Sequence, residues 1–337
     1  MSARALQFSL HYDFRNPAPW HEPGERRHAA LLDQIEWAER ELGFDAFSIP
    51  EHHFVDFASS PLTLAAAVAA RTRRATLGTN VLVLPVHNPL RLAEDCLTVD
   101  AISGGRFRLG VGLGYRGAEH AALGTALAER RDRAEEALGI LRRAFAGEHF
   151  AHQGRFFAFD ELTVTPPPVR EGGPEIWIGG LAPAGVERAA RLGDGYLCPS
   201  PEAVGAYVEQ RRRLNAPSTG RALVMLSWVV DEDPERTFAR IGEHLLYHYT
   251  QYREFGMQQI PAFEKPEELL SKGFVTLHDG PGAVSALRDI AAAESVEAVE
   301  LWPVAPGERA DDAAPRLEYF ANHVMPEFRS ATGNGGP

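Results

Sequence analysis

The chain predicts a closed (β/α)8 barrel, the TIM-barrel architecture of the α/β class, from three observations. Strand-like runs alternate with amphipathic helical runs over short connections, which is the signature of a parallel sheet with helices outside it. Several strands, such as Val81-Leu82-Val83-Leu84 and Ile176-Trp177-Ile178, are apolar at nearly every position, as strands buried on both faces are. An open doubly wound sheet would satisfy both of these tests. The repeat can be counted eight times, and eight units favour closure.

The elements follow in order. Leu6 to Tyr12 is the first strand, and the apolar spacing from Arg26 to Leu42 is a helix. Ala46 to Ile49 is the second strand, followed by a helix from Pro61 to Thr72. Leu77 to Leu84 is the third, Pro89 to Ile102 the next helix, and Phe107 to Leu113 the fourth strand. Strands five to eight are Glu175 to Ile178, Gly195 to Cys198, Leu223 to Val230 and Val296 to Trp302. Two insertions interrupt the repeat. Glu148 to Thr165 alternates aromatic and polar residues around Gly154, which predicts a β-hairpin before strand five. Arg253 to Thr276, broken by Gly256, Pro261, Pro266 and Gly273, predicts a long loop after strand seven, of a length that is usually functional or mobile. Residues 1–329 then form one domain, and 330–337, small and glycine-rich, a disordered tail.

Composition narrows the function. A net charge of -12 with no run of five basic residues argues against a protein that tracks nucleic-acid phosphates. Met1-Ser2-Ala3-Arg4 is polar and runs straight into a strand, so no membrane span or signal peptide is expected and a cytoplasmic location is the default. Cys96 and Cys198 lack metal-ligand spacing and read as reduced, buried thiols.

The most informative stretch is Pro50-Glu51-His52-His53-Phe54, where the second strand gives way to a loop. A carboxylate and two imidazoles at a strand exit are costly unless chemistry uses them. Strands three, four and five also end in polar or glycine-rich segments, which places one site at one rim, where barrel enzymes carry their catalysis. Acid/base, metal and structural readings of the cluster are all open at this level. Zinc needs three or four convergent ligands, and the first strand reads Leu10-His11-Tyr12-Asp13, without the His-x-His of many barrel metallohydrolases. No metal is therefore assigned. Neighbouring residues on an extended segment point to opposite sides, so His52 and His53 are not expected to act on the same atom.

These residues resemble the bacterial luciferase-like flavin monooxygenases. The resemblance rests on Glu51-His52-His53-Phe54, Leu77-Gly78-Thr79 to Leu84-Pro85, Pro89 to Asp95, Ser103-Gly104-Gly105-Arg106-Phe107, Ala189 to Gly195, and Gly280-Pro281. It implies reduced FMN at the C-terminal rim, O2 as co-substrate, a small organic substrate, often a separate flavin reductase, and a homodimer. It makes His52 the catalytic proton carrier, with Glu51 and His53 as its support and His11 lining the substrate side. The resemblance places a non-proline cis peptide at Asn80-Val81 beneath the flavin ring.

The same resemblance puts the phosphate near Gly179-Gly180-Leu181-Ala182, where amides at the start of a helix near Ala184 can hold it. Gly112 and Gly114 let a ligand approach the backbone, and Tyr115 and Arg116 are candidate phosphate partners. Luciferase has a cysteine and an arginine where this chain has Gly112 and Leu113, so light emission is not expected. Glu94, Asp95, Asp100 and Arg106 read as structural ion pairs or caps. Trp228, Tyr247, His248, Tyr249 and Trp302 read as core or pocket wall. The segment from Arg253 to Thr276 is the expected lid. A deazaflavin-dependent hydride-transfer oxidoreductase on the same barrel and a non-catalytic flavin-binding protein are the alternatives.

Overall fold

In the computed structural model, which describes residues 5–58 and 60–331, eight parallel strands close on themselves. They are Gln7–His11, Ala46–Ile49, Thr76–Thr79, Phe107–Gly112, Glu175–Gly179, Gly195–Cys198, Ala222–Leu226 and Val296–Leu301. Each pairs with the next in sequence, for example Ser9 with Ala46 and Leu77 with Phe107, and Gln7 opposite Ala298 closes the ring. Helices lie outside. The helix Pro89–Ser103 shows how local sequence sets its bounds: the Asn88 side chain accepts the Leu90 and Arg91 amides, and Gly104 at φ 66° ends it in the left-handed conformation.

Two strands differ from expectation. The third breaks after Thr79 and resumes as Leu82–Val83 beside Val111 and Gly112, with the cis peptide Asn80-Val81 at the break. The seventh leaves the barrel after Leu226, and Trp228–Val230 instead pairs in parallel with Thr276–His278. An apolar run hides such a switch, since Leu, Trp and Val suit either partner.

The expected hairpin is present, His149–Gln153 against Ala158–Thr163. The expected long loop is not a loop directly after strand seven: the helix Pro234–Glu254 intervenes, and Glu267–Ser271 is a short helix. Leu269 and Val275 bury with Val229, Phe238 and Ile241 in a separate apolar cluster, which orders this segment. Ser330 and Ala331, assigned to the tail, end the helix Met325–Ala331, and residues 332–337 lie outside the described residues.

The N-terminal end of the barrel carries a plug. Trp177 is fully buried with the Arg108 and Arg221 guanidiniums 4.8 and 5.2 Å from its ring centre. Arg108 pairs with Glu175 at 3.1 Å and Glu297 at 2.9 Å, and Arg221 with Glu175 at 2.6 Å. Arg106 is structural as expected, donating to the carbonyls of Ala69, Thr72, Ala75 and Ser103. Arg91 pairs with Glu94 and Asp95 on the surface of its helix.

Candidate active site

The Glu51–Phe54 segment sits at the C-terminal rim, but its carboxylate does not support His52. The Glu51 backbone amide donates to Val81 O at 3.1 Å, and its Oε2 accepts the Val83 amide at 2.5 Å. Its Oε1 lies 2.9 Å from His87 Nε2 and 3.1 Å from His53 Nε2. Glu51 thus clamps the chain just past Asn80 and faces a surface groove of about 430 Å³ lined by His53, Leu62, His87 and Arg91. Burial alone would raise its pKa, yet the hydrogen bonds from His53, His87 and Val83 outweigh it and hold the carboxyl at about 2. His53 is raised from its ordinary value, chiefly by its bond to Glu51.

These shifts set a pH window. With a folded pKa below its ordinary 4.5, Glu51 stabilises the fold above that value, and the contribution is lost as pH falls toward about 2. His53 runs the other way: its contribution is complete below 6.5 and is lost as pH rises through its elevated folded value. Thermal melts across pH are expected to show a plateau between these limits, with both flanks shallower in Glu51→Gln. Identical flanks in the two proteins would refute the assignment.

His52 is held by a residue that sequence reasoning missed. Its Nδ1 lies 3.2 Å from Oε1 of Glu119, on the short helix Gly117–Ala122. The same oxygen accepts the His53 amide at 2.8 Å and Arg116 Nη1 at 2.5 Å. Phe57, Tyr115, Tyr252 and Phe255 surround the His52 ring at centroid distances of 4.7 to 6.0 Å. Phe255, the first residue after the helix Pro234–Glu254, is therefore the part of the expected lid that reaches the histidine. The signal for Glu119 was available: it lies three residues after Arg116, the spacing of an ion pair on one helix face.

His11 does not join this group. It is buried inside the barrel, with Nδ1 2.7 Å from Ser48 Oγ and 3.4 Å from Glu300 Oε2, and its ring packs on Trp302. Asn80 Nδ2 donates to the same carboxylate at 2.5 Å, and Ser9 Oγ at 2.8 Å. His11 and Asn80 thus meet through Glu300, which the sequence did not single out. Burial works against ionisation of Glu300, but its bond to His11 and those from the serines keep its pKa below the ordinary value.

The glycines also do something other than expected. A Cβ on Gly112 would meet Val81 Cγ2 at 2.7 Å, and one on Gly179 would meet Val81 Cγ1 at 2.8 Å. Both make room for Val81, producing a ledge across the barrel mouth. Gly114, at φ 69°, lies against Val83 and His120. Gly180 approaches the Gly185 backbone, and Leu181 and Ala182 lead into the helix Pro183–Leu192, which opens without a side-chain cap. Gly112→Ala is expected to cost about 1–3 kcal/mol by overpacking, and Val81→Ala in the same chain to recover most of it. Denaturant melts of the single and double variants check this, and additive losses would contradict it.

Of the two phosphate candidates, Arg116 is committed to Glu119 and the His53 carbonyl, with its guanidinium 4.2 Å from the Phe255 ring centre. The Tyr115 hydroxyl is buried without a hydrogen-bond partner. Above the barrel lies a second network. Arg15, fully buried, donates to Asp13 Oδ2 at 2.7 Å, to Gln251 Oε1 at 3.1 Å and to His248 Nδ1. Gln251 and Tyr247 both reach Asp56. Burial, then the charge of Arg15, push the His248 pKa well below the ordinary value, so it is a neutral wall residue. Among the described residues no three His, Cys, Asp or Glu side chains are arranged to hold a metal ion, and no helix is long and apolar enough to cross a membrane.

Known proteins resemble this chain in sequence and in fold. Residues 7–272 match the family described as luciferase-like monooxygenase. Limonene 1,2-monooxygenase of Rhodococcus erythropolis is 30% identical over 68% of this chain, although the match spans only 63% of that relative's length. An F420-dependent glucose-6-phosphate dehydrogenase of Intrasporangium calvum is 26% identical over 89% of this chain and 94% of its own. Among solved structures, a monooxygenase from Streptomyces bottropensis superposes with a TM-score of 0.84 at 22% identity, covering 96% of this chain and 100% of that one. The oxygenating constituent of 3,6-diketocamphane monooxygenase of Pseudomonas putida, solved with FMN, gives 0.76 at 20% identity over 96% and 99%. With the barrel, its rim cluster and a family match over most of its length, the chain belongs to the luciferase-like monooxygenases.

Proposed function

We propose that the chain is a flavin-dependent monooxygenase that uses reduced FMN, delivered by a separate reductase, and O2 to oxygenate a small organic substrate, and that it works as a homodimer. The observation that carries this reading is the juxtaposition of the Val81 ledge with His52. Glu51 bonds Val81 directly, and His52 is the next residue in the chain. A planar ring system fits over a ledge cleared by two glycines. The uncapped opening of Pro183–Leu192 suits the phosphate, with Gly179, Gly180, Leu181 and Ala182 beside it. The Tyr115 hydroxyl, buried without a partner in the ring cluster around His52, has a hydrogen bond to offer a bound ligand.

When bound, reduced flavin supplies the electrons that activate oxygen, which no side chain here provides. The protein's share is position and protons. His52 moves a proton at Nε2, Glu51 fixes the Val81–Val83 ledge, and the four aromatic rings around His52 form the apolar wall beside it. The diketocamphane enzyme, solved with FMN, supports this choice of cofactor. The longer match to an F420-dependent dehydrogenase favours a second reading, deazaflavin-dependent hydride transfer.

Titrating the purified protein anaerobically with reduced FMN and with reduced and oxidised deazaflavin tests the choice. Oxygen uptake with a reductase supplying FMN is the result expected. Turnover of deazaflavin without oxygen would overturn it in favour of the second reading.

A further inference from the structure

The two ring nitrogens of His52 stand in different surroundings. Nδ1 faces Glu119 at 3.2 Å. Nε2 makes no hydrogen bond to another described residue. The Glu119 side chain is almost wholly buried, and two donors, the His53 amide and Arg116 Nη1, converge on its Oε1 together with His52 Nδ1. Burial opposes its ionisation, but these contacts prevail and hold its pKa below the ordinary carboxylate value. Arg116 is itself fixed, over the Phe255 ring and against the His53 carbonyl.

An ionised carboxylate can only accept, so a ring nitrogen bonded to it carries the proton. In the neutral imidazole the other nitrogen is then a bare lone pair. We propose that Glu119 is a positioning residue that holds His52 as the Nδ1–H tautomer and presents Nε2 as the working nitrogen at the barrel mouth. What Nε2 acts on rests on the monooxygenase reading; the tautomer itself belongs to the protein alone. A purely structural Glu119, tying Arg116 to the His53 backbone, would leave the tautomer of His52 unbiased.

The test is a long-range proton–nitrogen correlation spectrum of the full chain labelled with ¹⁵N-histidine, at alkaline pH where imidazoles are neutral. The His52 signals are identified by their loss in His52→Gln. The wild-type protein is expected to show Nδ1 protonated and Nε2 bare. Glu119→Gln, whose amide oxygen still accepts, is expected to keep that pattern, and Glu119→Ala to move the proton largely to Nε2. The His53 ring, whose Nε2 lies 3.1 Å from Glu51, should keep its pattern in both.

With FMN and a reductase, Glu119→Ala is expected to lose about 10-fold or more in kcat, with its affinity for reduced FMN within about twofold of wild type, since acid–base steps contribute at least that much. A wild-type spectrum with the His52 proton on Nε2 would overturn the proposal even if Glu119→Ala fails to fold. So would an unchanged tautomer in a folded Glu119→Ala. The expected tautomers with no oxygen uptake by any variant would leave Glu119 as the positioning residue and remove the monooxygenase reading instead.

Discussion

His52→Ala is expected to bind reduced FMN with near wild-type affinity and to lose about 10²- to 10⁴-fold in turnover, the range that a positioned acid–base group supplies. The separation of the two effects follows from geometry. His52 stands beside the Val81 ledge and takes no part in building it, whereas Glu51 holds that ledge through Val81 and Val83. The substitution leaves Glu119 with the His53 amide and Arg116 as donors, and Arg116 still neutralises it, so the fold is expected to survive. Stopped-flow measurement of flavin oxidation, alongside a binding titration, separates the steps. Stoichiometric flavin binding with no change of rate would leave a flavin-binding protein in which His52 does no chemistry.

Arg15→Leu has the largest expected effect on stability, a loss of about 3–5 kcal/mol. Arg15 is fully buried, and Asp13, itself 5% exposed, depends on it for charge. Removing the guanidinium strands the carboxylate in a low-dielectric site and takes away the donors that hold His248 and Gln251 of the helix Pro234–Glu254. The guanidinium also lies 4.2 Å from the Phe57 ring centre, so the box around His52 is expected to loosen with it. Asp13→Asn in the same chain is expected to recover a substantial part of the loss, because an amide tolerates burial better than an unpaired carboxylate. Denaturant melts of the two variants give the comparison. A cost below about 1 kcal/mol, the range of exposed pairs, would show that Arg15 is solvated in solution.

The parts of this molecule that were legible in the sequence are those governed by local rules. Alternating strands and helices, the Asn88 cap with Gly104 after its helix, and the hairpin around Gly154 depend on residues a few positions apart. The strand exit Glu51–Phe54 was legible because charge at the end of an apolar run is conspicuous. Its internal wiring was not, since adjacency in sequence suggested that Glu51 serves His52. An extended segment turns neighbours to opposite sides, so Glu51 pairs with His53 and His87 while His52 finds Glu119, 67 positions on. Similarly, Gly112 and Gly179 advertised open space. Only the bend at Asn80-Val81 shows that a side chain of the protein itself takes it. Arg15 gave no signal, because an arginine in a loop is ordinarily solvated.

The ionic plug around Trp177 has a kinetic consequence. With one end of the barrel stoppered by Arg108, Arg221, Glu175 and Glu297, the vessel has a single mouth, and His52, the Val81 ledge and the end of the helix Pro234–Glu254 all stand at it. Under the monooxygenase reading, cofactor, oxygen, substrate and product share that doorway, so loading and emptying take turns. The helix tied down by Arg15 through His248 and Gln251 forms part of the frame of that doorway.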